Sequence, residues 1–228
     1  MLADASPQLR LNSAVAAITD DGRRVQVTTR AGERFSALSV VVAVPVNVWK
    51  TIKFTPALPQ PYLEASTAGI GVPNAAKLWL HLSGVDDRFI AEAPEGSRII
   101  QMFSHTKLDN GQLAIGFSVD PTLDISNRTQ VENAVRRIIP QARLVNHTAH
   151  SWWRDPFSLG GWTFKQPGQL IRLLRQIQQP QGRITFATSD IASGWSGYMD
   201  GAIESGLRAV HRTPTTGIMT TQWGDPTT

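Results

Sequence analysis

The stretch Thr188-Ser-Asp-Ile-Ala-Ser-Gly-Trp-Ser-Gly-Tyr198-Met-Asp-Gly-Ala-Ile-Glu-Ser-Gly206 decides how this chain is read. It follows an apolar, β-prone run, Arg183-Ile-Thr-Phe-Ala-Thr188, and opens a helical pattern from about Tyr198 to His211. An acidic residue at a strand end, then glycines and aromatics, then a helix start brings backbone close to a flat, charged ligand. The helix start carries partial positive charge and unpaired N–H groups. Gly194, Gly197 and Gly201 permit the approach. Asp190, at the strand end, is placed to accept hydrogen bonds from ligand hydroxyls. Spacing alone also allows an ordinary strand-to-helix corner with an Asp cap.

Working outward, the helix after this motif presents Ala202, Ile203, Leu207 and Val210 on one face, which predicts an inward-facing stripe. Beyond Arg212 the chain is rich in Thr, Pro and Gly, so 213–228 reads as a loose tail. Upstream, residues 9–45 read as an antiparallel meander. Leu9, Leu11, Val15 and Ile18 mark a first strand, and Asp21-Gly22 a hairpin. Val25 and Val27 mark the second strand, and Phe35 to Val44 the third. Its apolar run Leu38–Val44 predicts burial on both faces, and Pro45 stops it.

Residues 54–66, with Pro56, Pro59 and Pro61, read as a connection. In 75–82, Ala76, Leu78, Leu80 and Leu82 alternate with Lys77, Trp79 and His81, the pattern of a half-buried strand. Ile99–Phe103 and Leu113–Val119 are further strand candidates. Thr129-Gln-Val-Glu132 reads as a capping box before the stripe Val131, Ala134, Val135, Ile138 and Ile139. A second helix is predicted between Pro167 and Pro180, with Leu170, Ile171, Leu174 and Ile177 sharing a face.

The 228 residues suffice for one or two domains with a real core. The absence of cysteine excludes disulfides, thiolate metal sites, thiol catalysis and a cysteinyl cofactor link. Five histidines show no metal spacing, so no metal is expected. No apolar run approaches the ~20 residues that span a bilayer. The first residues lack a signal core and read as unprocessed, which predicts a cytoplasmic chain. Net charge is +4, but the basic residues are scattered rather than clustered, which speaks against nucleic acid.

Trp195-Ser-Gly-Tyr-Met-Asp-Gly-Ala202 closely resembles the C-terminal flavin-binding motif of the FAD-dependent amine oxidases, the monoamine and L-amino acid oxidase family. The resemblance extends over nearly the whole chain. Leu11-Asn-Ser-Ala-Val15 resembles the segment whose valine backbone meets the adenine end of FAD. Phe54-Thr-Pro-Ala-Leu-Pro59 resembles the connection into the substrate domain. In Gly69-Ile-Gly-Val-Pro-Asn-Ala-Ala-Lys77, Lys77 occupies the place where the family holds a water near flavin N5. Phe157-Ser-Leu-Gly-Gly-Trp-Thr-Phe164 resembles the loop carrying the first wall of an aromatic cage. Gly161 stands where members with covalent flavin have cysteine, and Trp162 where those members have tyrosine. Without the family, Lys77 reads first as a solvated strand lysine, and the loop alone leaves Trp162 open as a core or subunit-contact residue.

The resemblance implies an α+β flavoprotein. Residues 1–53 and 183–212 would form part of an FAD domain, and 54–182 a substrate-binding domain. It implies non-covalent FAD held by Val15, Asp190, Gly197, Tyr198 and Met199, a substrate amine or amino acid between Trp162 and Tyr198, and Lys77 assisting the oxygen step. The implied reaction is oxidation to an imine with hydride transfer to flavin and release of peroxide. No stretch supplies the glycine-rich dinucleotide fingerprint: Gly69-Ile-Gly71 opens a strand rather than a helix. The resemblance therefore implies an N-terminal FAD-domain polypeptide as partner. A related FAD dehydrogenase or desaturase, and an inactive remnant or interaction subunit without flavin, are the alternatives.

Overall fold

In the computed structural model residues 7–213 are described. The readings of 1–6 as an unprocessed start and of 214–228 as a loose tail lie outside them. The fold is α+β, with three sheets and five α-helices among the described residues.

The meander is built from β1 (Val15–Asp20), β2 (Val25–Thr29) and β3 (Arg34–Ala37), paired antiparallel. The first strand begins at Val15, not at Leu9. Asn12 turns left-handed (φ 57°) and Ser13 Oγ donates to Leu11 O, which breaks the extended run and leaves Leu9 and Leu11 exposed. The apolar run that predicts one third strand splits in two. After β3 the chain leaves the meander, and β4 (Val40–Val42) pairs parallel with β11 (Ile184–Phe186) in a separate two-stranded sheet. Burial on both faces is not met, because Val42 is buried while Val41 faces out. A 3-10 turn (Val46–Thr51) leads into β5 (Lys53–Thr55), which joins the meander parallel to β1.

The proline-rich connection holds a helix, α1 (Gln60–Ala68), which the sequence reading missed. Pro59 is its N-cap and Pro61 lies in its first turn, where a missing N–H costs nothing. The prolines start a helix here instead of marking a loop.

The five-stranded antiparallel sheet runs in the order β10-β6-β9-β8-β7. Its strands are β6 (Ala76–Ser83), β7 (Ile90–Glu92), β8 (Gln101–Leu108), β9 (Gly111–Ser118) and β10 (Arg143–Ser151). The alternation in β6 is as expected: Leu78, Leu80 and Leu82 are fully buried, and Lys77, Trp79 and His81 point to the other face. The helix α2 (Arg128–Arg136) covers the buried face with Val131, Ala134 and Val135. Its N-cap is Asn127, which accepts from Gln130 N at 3.1 Å, rather than Thr129. Glu132 instead accepts from Leu144 N at 3.3 Å, tying the helix to β10.

The predicted helix between Pro167 and Pro180 is two short ones, α3 (Gln169–Arg172) and α4 (Leu174–Ile177). Leu170 and Ile171 are exposed, and Leu173, Leu174 and Ile177 enter the core. That core also gathers Ile18, Val42, Trp49, Leu58, Tyr62 and Phe186, so 54–70 and 173–177 pack with the meander side. Phe186 sits 4.6 Å from Trp49 and 5.1 Å from Tyr62, centre to centre.

The last helix, α5 (Met199–Arg212), faces opposite to expectation. Gly201, Ser205 and Ala209 are buried, and the apolar stripe is exposed: Met199 84%, Ile203 51%, Leu207 59%, Val210 67%. Small inner residues let the helix backbone lie against the preceding loop. A Cβ on Gly201 would stand 2.3 Å from Trp195 O. Among the described residues no helix is long and apolar enough to cross a membrane.

Candidate functional site

Three chain segments converge where the cores meet: the turn after β4, the loop after β10 and the loop after β11. Asp190 ties them together. Buried in the 3-10 turn Ser189–Ile191 after β11, rather than at the strand end, it accepts from Val46 N at 3.0 Å and from Thr163 Oγ1 at 2.5 Å. A buried carboxylate with two donors is satisfied and rigid. Asn47 makes a second tie: its Oδ1 accepts from Ile70 N at 2.7 Å and its Nδ2 donates to Leu159 O at 3.1 Å. Leu159 (φ 52°) and Trp195 (φ 47°) hold left-handed backbone in these two loops, a conformation costly for non-glycine residues.

Two adjoining cavities open from this frame. The smaller, of about 340 Å³, is lined by Asn47, Gly161, Asp190 and neighbours. The larger, of about 780 Å³, is lined by Gln101, Ser196, Tyr198 and others. Lys77, Phe117, Trp162, Thr163 and Gly197 line both. Lys77 projects from the open face of β6 as the alternation requires, with its Nζ 5.3 Å from the centre of the Trp79 ring. Phe117 lies opposite Lys77 on β9, and its ring meets Trp162 edge-on at 5.5 Å.

The structure thus brings together Lys77, Trp162, Asp190, Gly197 and Tyr198, residues far apart in sequence. Tyr198 is exposed at the rim, with Trp195 edge-on at 6.0 Å. Met199 is exposed on the outer face of α5 and lines neither cavity. Val15 opens β1 and packs against the meander core, away from both. Sequence reasoning missed Asn47, Thr163 and Phe117. Phe117 was findable, since it is the cross-strand partner of Lys77 on the predicted neighbouring strand; Asn47 and Thr163 carry no local signal.

Electrostatics and backbone suit a flat, polar ligand. Burial pushes the Lys165 amine below its ordinary value, while the nearby Asp190 charge opposes the shift. Lys165 Nζ donates to Ser196 Oγ beside the start of α5. No side chain caps that start, so its first-turn N–H groups face whatever lies beside Tyr198. A Cβ on Gly197 would stand 2.9 Å from Thr163 Cβ, and one on Gly161 2.3 Å from Ala75 Cβ. Backbone itself therefore forms part of the wall. No group of three metal-ligating side chains occurs among the described residues.

The chain is similar to several known proteins. Pseudooxynicotine dehydrogenase of a Pseudomonas species is 34% identical over 213 residues, covering 90% of this chain and 42% of that protein. (S)-6-hydroxynicotine oxidase of Paenarthrobacter nicotinovorans is 30% identical over 206 residues, covering 90% of this chain and 48% of that protein. The chain spans a little under half the length of these relatives. Among solved structures, cyclohexylamine oxidase of Brevibacterium oxydans superposes with a TM-score of 0.72 at 21% identity, covering 92% of this chain and 50% of that one. Putrescine oxidase bound to putrescine superposes with a TM-score of 0.73 at 18% identity, with the same coverage. At these identities the likeness is one of fold. Residues 2–213 match the family described as flavin containing amine oxidoreductase, and the chain belongs to that family.

Proposed function

We propose that this chain supplies the substrate-facing part of an enzyme that oxidises an amine or amino acid with non-covalently held FAD. The observation that carries the reading is the convergence of Lys77, Trp162, Gly197 and Tyr198 on one cavity. Flavin bound here would supply a two-electron acceptor: the carbon beside the substrate nitrogen would lose a hydride, leaving an imine that water hydrolyses, and oxygen would take up both electrons as H2O2. Trp162 and Tyr198 hold the amine and exclude water. Lys77 orients a water at the end of the cavity and assists the oxygen step. Asp190, Gly197, Tyr198 and Met199, on the loop after β11 and the start of α5, would hold the flavin, the uncapped helix start favouring its negative charge. Val15 would offer backbone to the same cofactor.

Non-covalent attachment is supported by the absence of cysteine and by Ala75, which occupies the space a side chain at position 161 would need. A polypeptide carrying the dinucleotide-binding half completes the site. The bare stripe of α5 and the open two-stranded sheet β11-β4 are the surfaces that support its docking, because parallel strands are normally covered on both faces.

The test is the absorbance of the purified chain, alone and co-expressed with such a half. Flavin bands that accompany the complex, and flavin released by acid precipitation, are expected. Protein without flavin in both preparations sinks the proposal. A second reading, transfer of electrons to an acceptor other than oxygen, is favoured by the relative named a dehydrogenase. Under the oxidase reading, Lys77→Met in the loaded complex slows reoxidation by oxygen strongly while leaving flavin reduction by substrate nearly unchanged; equal oxygen reactivity favours the dehydrogenase.

A further inference from the structure

We infer that His150 and Asp155 position Trp152 as the outer wall of the smaller cavity, and that the charge on the His150 imidazole sets how firmly that wall is held. The functional part rests on the reading of this cavity as belonging to the amine-oxidising site. Trp152 lines the smaller cavity together with Lys77 and Trp162. It follows directly on β10, the edge strand beside β6, and is 41% exposed, so its ring takes its orientation from neighbours at the rim. The His150 ring meets the indole at 70°, with 4.4 Å between centres. His150 Nε2 lies 2.9 Å from Asp155 Oδ2. A carboxylate only accepts, so Nε2 carries the hydrogen and Nδ1 is the nitrogen that gains or loses a proton. Asp155 is fixed in turn. Its Oδ1 accepts from Phe157 N at 2.7 Å, and its own N–H donates to Ser151 O at 3.1 Å. Gly160 N then closes the loop on Trp152 O at 3.2 Å, directly before Gly161 and Trp162. His150 and Asp155 line neither cavity, so they act through Trp152.

Protonation strengthens both contacts of the imidazole. At 4.4 Å an imidazolium lies within cation–π reach of the indole, an attraction the neutral ring lacks. Its bond to Asp155 becomes one between opposite charges. The other charged groups around the pair are three. Lys77 faces His150 as its cross-strand partner on β6 and opposes the imidazolium, but its Nζ is drawn to the Trp79 ring, 5.3 Å from the centre. On the loop itself Arg154 lies against Trp153 at 4.7 Å, and Arg30 reaches Phe157 at 5.6 Å. Acid therefore holds Trp152 against the cavity, and alkali loosens it. An amine entering beside Lys77 and Trp162 meets a fixed wall in acid and a yielding one in alkali.

The experiment measures quenching of Trp152 fluorescence by acrylamide in the chain, from about pH 5 to about pH 9, the range that brackets histidine protonation. Subtracting the signal of Trp152→Phe isolates the one indole. Trp152 should be about twofold more accessible at the alkaline end, the population change that an exposed cation–π contact supports. His150→Gln should show the high accessibility at every pH. His150→Arg, which keeps a charge throughout, should show the low accessibility at every pH. A merely structural role would give no such opposite pair. Accessibility that ignores pH in the wild-type chain overturns the inference, and so does a pH dependence that survives in His150→Gln or in His150→Arg. The readout needs no flavin. A chain with the expected quenching that never carries flavin refutes the oxidase reading and leaves the role of His150 standing. A flavin-loaded, amine-oxidising complex whose Trp152 ignores pH does the reverse.

Discussion

Thr163 donates its hydroxyl to Asp190 Oδ1 at 2.5 Å, joining the loop after β10 to the loop after β11. The other carboxylate oxygen takes the N–H of Val46, itself fully buried. One side chain thus holds the three segments that frame the site. Thr163→Val removes a single bond to a charged acceptor and should cost about 1.5–3 kcal/mol. Asp190→Ala also strands the buried Val46 N–H, so it should cost more than Thr163→Val. Urea unfolding midpoints give the order, and equal or reversed effects would count against the three-way tie.

A side chain at position 161 competes with Ala75 for the same space, their Cβ atoms falling 2.3 Å apart. Gly161→Ala should destabilise by about 1–3 kcal/mol through overpacking. Combining it with Ala75→Gly should recover most of that loss, because Val72 O stays at 3.4 Å. Additive losses in the double variant would show that the clash lies elsewhere.

Two glycines of α5 should respond oppositely to alanine. At Gly206 a Cβ meets nothing within 4 Å, so Gly206→Ala should stabilise by about 0.5–1 kcal/mol through helix propensity alone. At Gly201 a Cβ would stand 2.3 Å from Trp195 O and 2.9 Å from Ala192 Cβ. There the clash outweighs propensity, and thermal unfolding should fall rather than rise.

The outward stripe of α5 can be charged without touching the chain's own core. Ile203→Lys with Leu207→Lys should shift the stability of the isolated chain by no more than about 0.5 kcal/mol per site. Sedimentation of the co-expressed complex should show its assembly lost. A complex that assembles normally with both lysines would place the dinucleotide-binding half on another surface.

Burial raises the pKa of Glu204, but bonds from Ser193 N, Gly194 N and the Arg208 guanidinium outweigh it and hold the carboxyl below its ordinary value of 4.5. A folded pKa below the unfolded one stabilises the fold fully above 4.5, and that contribution is lost as pH falls through the folded value. Stability of the wild-type chain should therefore drop more steeply in acid than that of Glu204→Gln. Parallel curves would remove Glu204 from the account.

Much of the site was legible before any fold was known. Lys77 sits on the minority face of an alternating strand, and such a strand can present that residue only away from its leucines. The turn at Gly197 and the helix after it announce themselves by composition. By contrast, α1 hid behind its own prolines, because first-turn prolines and loop prolines look alike without the helix they start. Asn47 and Thr163 hid because their partners are distant in sequence, Leu159 112 positions from Asn47 and Asp190 27 positions from Thr163.

By itself the sequence determined the family, the α+β class, the burial of β6 and the strand–turn–helix around Asp190 and Gly197. The family rests on the likeness of its motifs; the others rest on short-range periodicity and turn chemistry, which are written locally. Tertiary structure decided the rest. It split the run from Phe35 to Val44 between two sheets, since Val40 and Val42 find Ile184 and Phe186 as parallel partners. It also turned Ile203, Leu207 and Val210 outward, since the close approach of α5 to the Trp195 loop admits only Gly201, Ser205 and Ala209. An apolar stripe records that a helix has something to bury; which side meets the core depends on how closely the backbones approach, and distant segments set that distance.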